Sequence, residues 1–78
     1  MARYTVRKGQ WYRAMISLGI FERLASNERV AQSIREAGFI DVSVAGSGRL
    51  RQATALWPNE DASAEIPPQI AKIEEIEV

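Results

Sequence analysis

YTVRKGQWYRAMISL, residues 4–18, decides how the rest of the chain is read. Tyr4 to Arg7 and Gln10 to Leu18 alternate with the period-two pattern of strands. Between them Lys8-Gly9 suits a two-residue hairpin turn, because glycine takes positive φ without steric cost. One long bent strand is the competing reading. In the second segment Tyr12, Ala14, Ile16 and Leu18 share a face fit for a core. Trp11, Arg13, Met15 and Ser17 share the other, where two large apolar groups require a cover.

Downstream, Gly19-Ile20-Phe21 breaks the alternation and a helix follows. Ser26 or Asn27 caps its start, and Glu28 sits favourably in the first turn. Val30, Ile34 and Ala37 fall on one helical face, with Phe21 and Leu24 packing at the entry. Gly38 supplies a left-handed terminator. Ile40, Val42 and Val44 then alternate as a strand, and Ala45-Gly46-Ser47-Gly48 forms a loop. Arg49 to Trp57 is the next strand. Its faces are Leu50, Gln52, Thr54, Leu56 and Arg49, Arg51, Ala53, Ala55, Trp57; Leu50 and Leu56 are expected inward.

Pro58 to Glu65 reads as a polar linker without periodicity. After Pro67-Pro68 the pattern predicts one helical turn and then a terminal strand, with Ile70, Ile73 and Ile76 as its apolar positions. The expected fold is α+β: a small two-layer sandwich with an antiparallel sheet of three to four strands and one helix. Its order is β-hairpin, helix, strand, strand, followed by an extended C-terminal arm. Residues 1–58 form the expected core domain, and residues 59–78 an acidic linker and arm.

Charge supports that division. Residues 1–58 hold nine cations and four anions, a net +5, whereas residues 59–78 hold one cation and six anions, a net −5. Eight of the nine body cations are arginines, which pair with carboxylates in a fork geometry. Basic body and acidic arm are therefore electrostatic partners, within one copy or between copies.

The residue inventory argues against catalysis. The 78 residues include no His and no Cys, which removes the commonest general base, the thiolate nucleophile and any disulfide. No serine lies in a nucleophile elbow. Glu74-Glu75 belongs to a charged tail, where carboxylates are ordinarily solvated. No loop has the ligand spacing of a divalent-cation site. AGSGR, residues 45–49, leads into a strand and not into a helix N-terminus, so it is a hairpin loop and not a phosphate cradle. No enzyme activity, metal, cofactor or small-molecule substrate is expected. No segment reaches the ~20 apolar residues of a membrane span, and no signal peptide is visible. Synthesis in the cytoplasm is the expectation, with a virion as a candidate destination.

Three resemblances bear on function. YTVRKGQ, residues 4–10, is similar to the opening of a LysM module, with Gln10 where that motif has Asp; the likeness stops there. A longer stretch, residues 13–58, resembles the first half of a SPOR domain. It is carried by Ser17-Leu18-Gly19-Ile20-Phe21, Ala37-Gly38-Phe39, Asp41-Val42-Ser43-Val44 and Gly48-Arg49-Leu50-Arg51. That resemblance implies a βαββ order and a sheet face that binds peptidoglycan glycans. In size, charge polarity and arm-like tail the chain also resembles small bacteriophage virion proteins of the tail or baseplate.

The leading expectation is a structural subunit of a protein assembly, with itself or other subunits as partners. Its interaction residues are Trp11, Arg13, Met15, Arg49, Arg51 and Trp57 on an exposed sheet face, and Ile70, Ile73 and Ile76 on the arm. The alternative is a glycan-binding module. A nucleic-acid binder comes last, because such proteins ordinarily carry a net basic footprint and this chain is neutral.

Overall fold

The computed structural model describes residues 3–19, 25–65 and 70–77. In chain order its elements are β1 (Arg3–Val6), β2 (Trp11–Ser17), α1 (Asn27–Glu36), β3 (Ile40–Ser47), β4 (Leu50–Leu56), β5 (Ala62–Glu65) and β6 (Ile70–Ile76). Four strands form an antiparallel sheet in the order β3-β4-β2-β6, and β1 pairs antiparallel with β5 in a second, two-stranded sheet. The α+β class is as the sequence predicts, and so, among the described residues, is one helix over an antiparallel sheet.

The opening hairpin is not. β1 and β2 belong to different sheets. Lys8-Gly9 does make a tight turn, closed by Gln10 N–H donating to the Arg7 carbonyl at 3.2 Å. However, a type I′ hairpin turn needs positive φ at both central residues. Gly9 has φ 79°, but Lys8 is not among the positive-φ residues. The turn therefore sends the chain from one sheet into the other. It is anchored on the end of β4, with Gly9 N–H donating to the Trp57 carbonyl at 2.7 Å.

The helix forms where its local signals place it. Ser26 is the N-cap, its hydroxyl accepting from Arg29 N–H at 3.1 Å, and Glu28 lies in the first turn. Gly38 follows the C-cap Ala37 with φ 117°. A Cβ there would come within 3.0 Å of the Trp57 ring, so glycine serves both the helix stop and the packing beside it. Ala31 is the buried helix residue, with Val30 and Ile34 half-buried beside it; Ala37, expected in the core, is exposed. Phe21 and Leu24 lie outside the described residues.

Two groups of side chains fill the covered side of the large sheet. Under the helix, Ile16, Leu18 and Ala53 are buried, with Ala14, Val30, Ile34 and Val44 packed around them. Beside them runs an aromatic chain. Tyr4 meets Tyr12 edge-on at 5.9 Å, Tyr12 meets Phe39 at 6.3 Å, and Phe39 meets Trp57 at 4.9 Å.

β4 turns the opposite way from the expectation. Ala53, Ala55, Trp57 and Arg51 are buried, whereas Leu50 is 65 % exposed and Leu56 half-exposed. Ala53 packs with Val30 and Ile34 of the helix, and the Trp57 ring lies beside Gly38 at the helix end. The burial of Trp57 and Arg51 is made tolerable by hydrogen bonds. Trp57 Nε1 donates to the Glu60 carbonyl at 2.8 Å. Arg51 donates to Asn27 Oδ1 at 2.9 Å and to the Gly48 carbonyl at 3.1 Å.

The segment after Pro58 is an arm only in sequence order. Ala62–Glu65, read as linker, is the strand β5 on β1, and Ile70–Ile76 lies on β2. Strand, not a helical turn, begins at Ile70, because the open side of β2 offers a ladder to pair with, shifted in register once, between Met15 and Ile16. Among the described residues no helix is long and apolar enough to cross a membrane.

Candidate interaction face

Side chains directly opposite across paired strands share a sheet face. The registers Trp11↔Leu56, Arg13↔Thr54, Met15↔Gln52 and Ser17↔Leu50 put one face of β2 beside one face of β4. On the other flank, Trp11↔Ile76, Arg13↔Glu74 and Met15↔Lys72 extend that face onto β6. β3 completes it with Ser43 opposite Thr54, Ala45 opposite Gln52 and Ser47 opposite Leu50. The helix and the aromatic chain pack on the reverse side, so among the described residues this face is the open one.

Of the nine sequence-selected residues, Trp11, Arg13, Met15 and Ile76 stand together on it. Trp11 and Ile76 are half-buried by their neighbours, and Met15 is 37 % exposed. Arg51 and Trp57 are corrections: both point into the core. Arg49 lies in the turn after β3, exposed, with its Nε donating to the Leu18 carbonyl at 3.3 Å. Ile70 and Ile73 pair with Ile16 and Ala14, so they belong to the covered face.

Leu50, Leu56 and Ile40 are the residues that sequence reasoning missed. Ile40 is 45 % exposed because the register slips between Ile40 and Ser43, where Asp41 takes φ 51°. Without that irregularity Ile40 would share the covered face of Val44. Its outward position follows from a bulge that strict alternation does not reveal. For Leu50 and Leu56 the available signal was the small-residue pair Ala53 and Ala55, which suits a strand facing a helix.

The charge asymmetry is consumed within the chain. Arg13 donates from Nε and Nη2 to Glu74 Oε1 at 2.9 and 2.7 Å. Arg7 grips Glu75 with a two-point pair at 3.1 and 2.6 Å. Lys8 reaches Glu60 at 3.2 Å, and its N–H donates to Asp61 Oδ1 at 2.9 Å. The buried Tyr12 hydroxyl accepts from Arg7 N–H at 2.6 Å and donates to Glu75 Oε1 at 3.4 Å. The Glu74 and Glu75 contacts latch β6 to the first strands, and those of Glu60 and Asp61 hold the segment before β5 to the Lys8 turn.

The hydrogen bond from Arg13, followed by the charge of Lys72, holds the Glu74 carboxyl below the ordinary glutamate value of 4.5. The hydrogen bond from Arg7 does the same for Glu75. Both carboxylates therefore stabilise the fold fully above that ordinary value, and the contribution is lost as pH falls through their lowered folded-state values. The thermal midpoint is expected to be flat from neutrality to about pH 5 and to fall in more acid solution. Glu75→Gln should flatten that fall. Identical acid profiles for the variant and the parent would rule the latch out as its source.

Among the described residues no group of three or more acidic side chains is placed to hold a metal ion. No protein-family model, curated protein or solved structure matches the chain.

Proposed function

We propose that the chain is a non-enzymatic assembly subunit that buries the open face of its four-stranded sheet against protein. One observation carries this reading. Trp11, Met15, Ile40, Leu50, Leu56 and Ile76 lie on one side of the sheet, while the chain's own helix packs on the other. An apolar surface of this kind on a small domain marks an interaction site. The face, and not the tail, is the element offered to a partner, since β6 already lies on β2. A virion tail or baseplate is the setting we propose, on the strength of small size and charge polarity.

Burial of Trp57 favours protein over a sugar or a single-stranded nucleic acid. It leaves Trp11 without a second tryptophan on the face to stack rings or bases against. Arg51, also buried, supplies no phosphate contact there.

A photo-activated cross-linking residue at Leu50 tests the proposal in the cells that make the protein, with Gln32, exposed on the helix, as the control site. A discrete protein adduct from position 50 and none from position 32 is expected. No adduct at position 50, or equal labelling at both, would overturn the reading. Soluble peptidoglycan fragments and single-stranded DNA should leave tryptophan emission unchanged.

A further inference from the structure

Resting on that reading, we infer that the occupant of the open face is a second copy of this chain, packed sheet against sheet about a twofold axis. Area, edges and charge converge on it.

The whole chain exposes 5294 Å². A compact monomer of 8.7 kDa exposes about 4,700 Å². The surplus is roughly 600 Å². Four strands spaced ~4.8 Å apart, three of seven residues and one of eight at ~3.3 Å per residue, present about 440 Å² in projection. One sheet face is comparable in size with that surplus, to which every exposed segment of the chain contributes. Closing two such faces gives an interface near the lower limit for a specific complex, about 1,000–1,200 Å² in total.

The sheet edges are closed to the alternative of growth by strand addition. On the β3 edge the ladder is irregular between Ile40 and Ser43, with Asp41 at φ 51°. On the β6 edge the register shifts opposite Met15 and Ile16, Lys72 stands on the strand, and Glu75 points to the covered side. Bulges, edge lysines and inward-pointing charges are the devices that discourage edge pairing.

Its charge layout is also compatible with a copy of itself. Arg13 and Glu74 neutralise each other, and Lys72 lies on the outermost strand. The outward residues of β4 and the β3 stretch paired with it carry no charge: Leu50, Gln52, Thr54 and Leu56, with Ser43, Ala45 and Ser47. A twofold axis parallel to the strands and between β2 and β4 lays β2 over the other copy's β4, and β6 over its β3. Arg13 then faces Thr54 of the other copy and Glu74 faces its Ser43, and no like charges meet. An isologous interface of this kind needs one self-complementary patch.

Sedimentation equilibrium on the full chain, from about 1 to about 100 µM, tests the inference in the micromolar range that suits so small an interface. The expected result is a reversible shift from 8.7 kDa to twice that mass. About 1 M salt should not weaken the shift, because apolar burial is not screened. Met15→Lys and Leu50→Lys alter exposed side chains that the core does not use, and both should hold the chain monomeric with an unchanged far-ultraviolet spectrum. A monomer throughout the range would overturn the inference, as would a dimer that survives both substitutions. The cross-link at position 50 separates this failure from failure of the assembly reading. An adduct of twice the chain mass supports the second copy. An adduct of another mass sinks the second copy and leaves assembly standing, and no adduct sinks both.

Discussion

Trp57→Ala is expected to remove a large share of the protein's stability. Truncating a buried aromatic costs about 3–5 kcal/mol. A domain of this size holds roughly 4–12 kcal/mol in total, at 0.05–0.15 kcal/mol per residue. Trp57 ties several parts of the molecule together. Its ring meets Phe39 and covers Gly38, its indole N–H reaches the Glu60 carbonyl, and its backbone joins Gly9 and Gln10 to β4. Trp57→Phe keeps part of the ring and loses the indole hydrogen bond, so it should cost less. Urea unfolding followed by circular dichroism ranks the three proteins. An alanine variant within ~1 kcal/mol of the parent would show that the aromatic chain is not central to the fold.

Ending the chain at Pro58 is expected to be equally destructive. It takes β5 from β1 and β6 from β2, removes Ile70 and Ile73 from the covered face, and deprives Arg7 and Arg13 of their carboxylates. It also removes the Glu60 carbonyl that satisfies Trp57. What remains has an unpaired opening strand and an exposed flank on β2, a template for aggregation. Loss of a cooperative thermal transition is the expected result. A truncated chain that melts cooperatively within a few degrees of the parent would mean that residues 1–58 fold alone.

The same elements show what could be read from the chain and what could not. The helix was legible because its signals are local: Ser26 at the cap, Glu28 in the first turn, Gly38 at the stop. β2 was legible because one of its faces, Tyr12 to Leu18, is distinctly more apolar in sequence. β4 was not, since Leu50 and Leu56 outweigh Ala53 and Ala55 in hydrophobicity. What decides its orientation is close approach of a helix 20 residues away, a property of the assembled layers. β5 carries no pattern in Ala-Ser-Ala-Glu; it is a strand because β1 is there to pair with it. The hairpin expectation failed on one residue, Lys8, whose backbone does not take the positive φ that a hairpin turn requires. On the face, Trp11, Arg13 and Met15 were found from β2 alone, whereas Ile40 depended on a bulge at Asp41.

The central claim is that the open sheet face works covered, and Met15 reports on it most directly. The residue is 37 % exposed in the single chain and sits on a central strand of that face. The decisive measurement is its rate of oxidation by dilute peroxide, read by mass spectrometry, in intact cells and in dilute purified protein. Slow oxidation in cells with fast oxidation on dilution is the predicted result. Equal rates in both, matching a solvent-exposed methionine, would mean that nothing covers the face where the protein works.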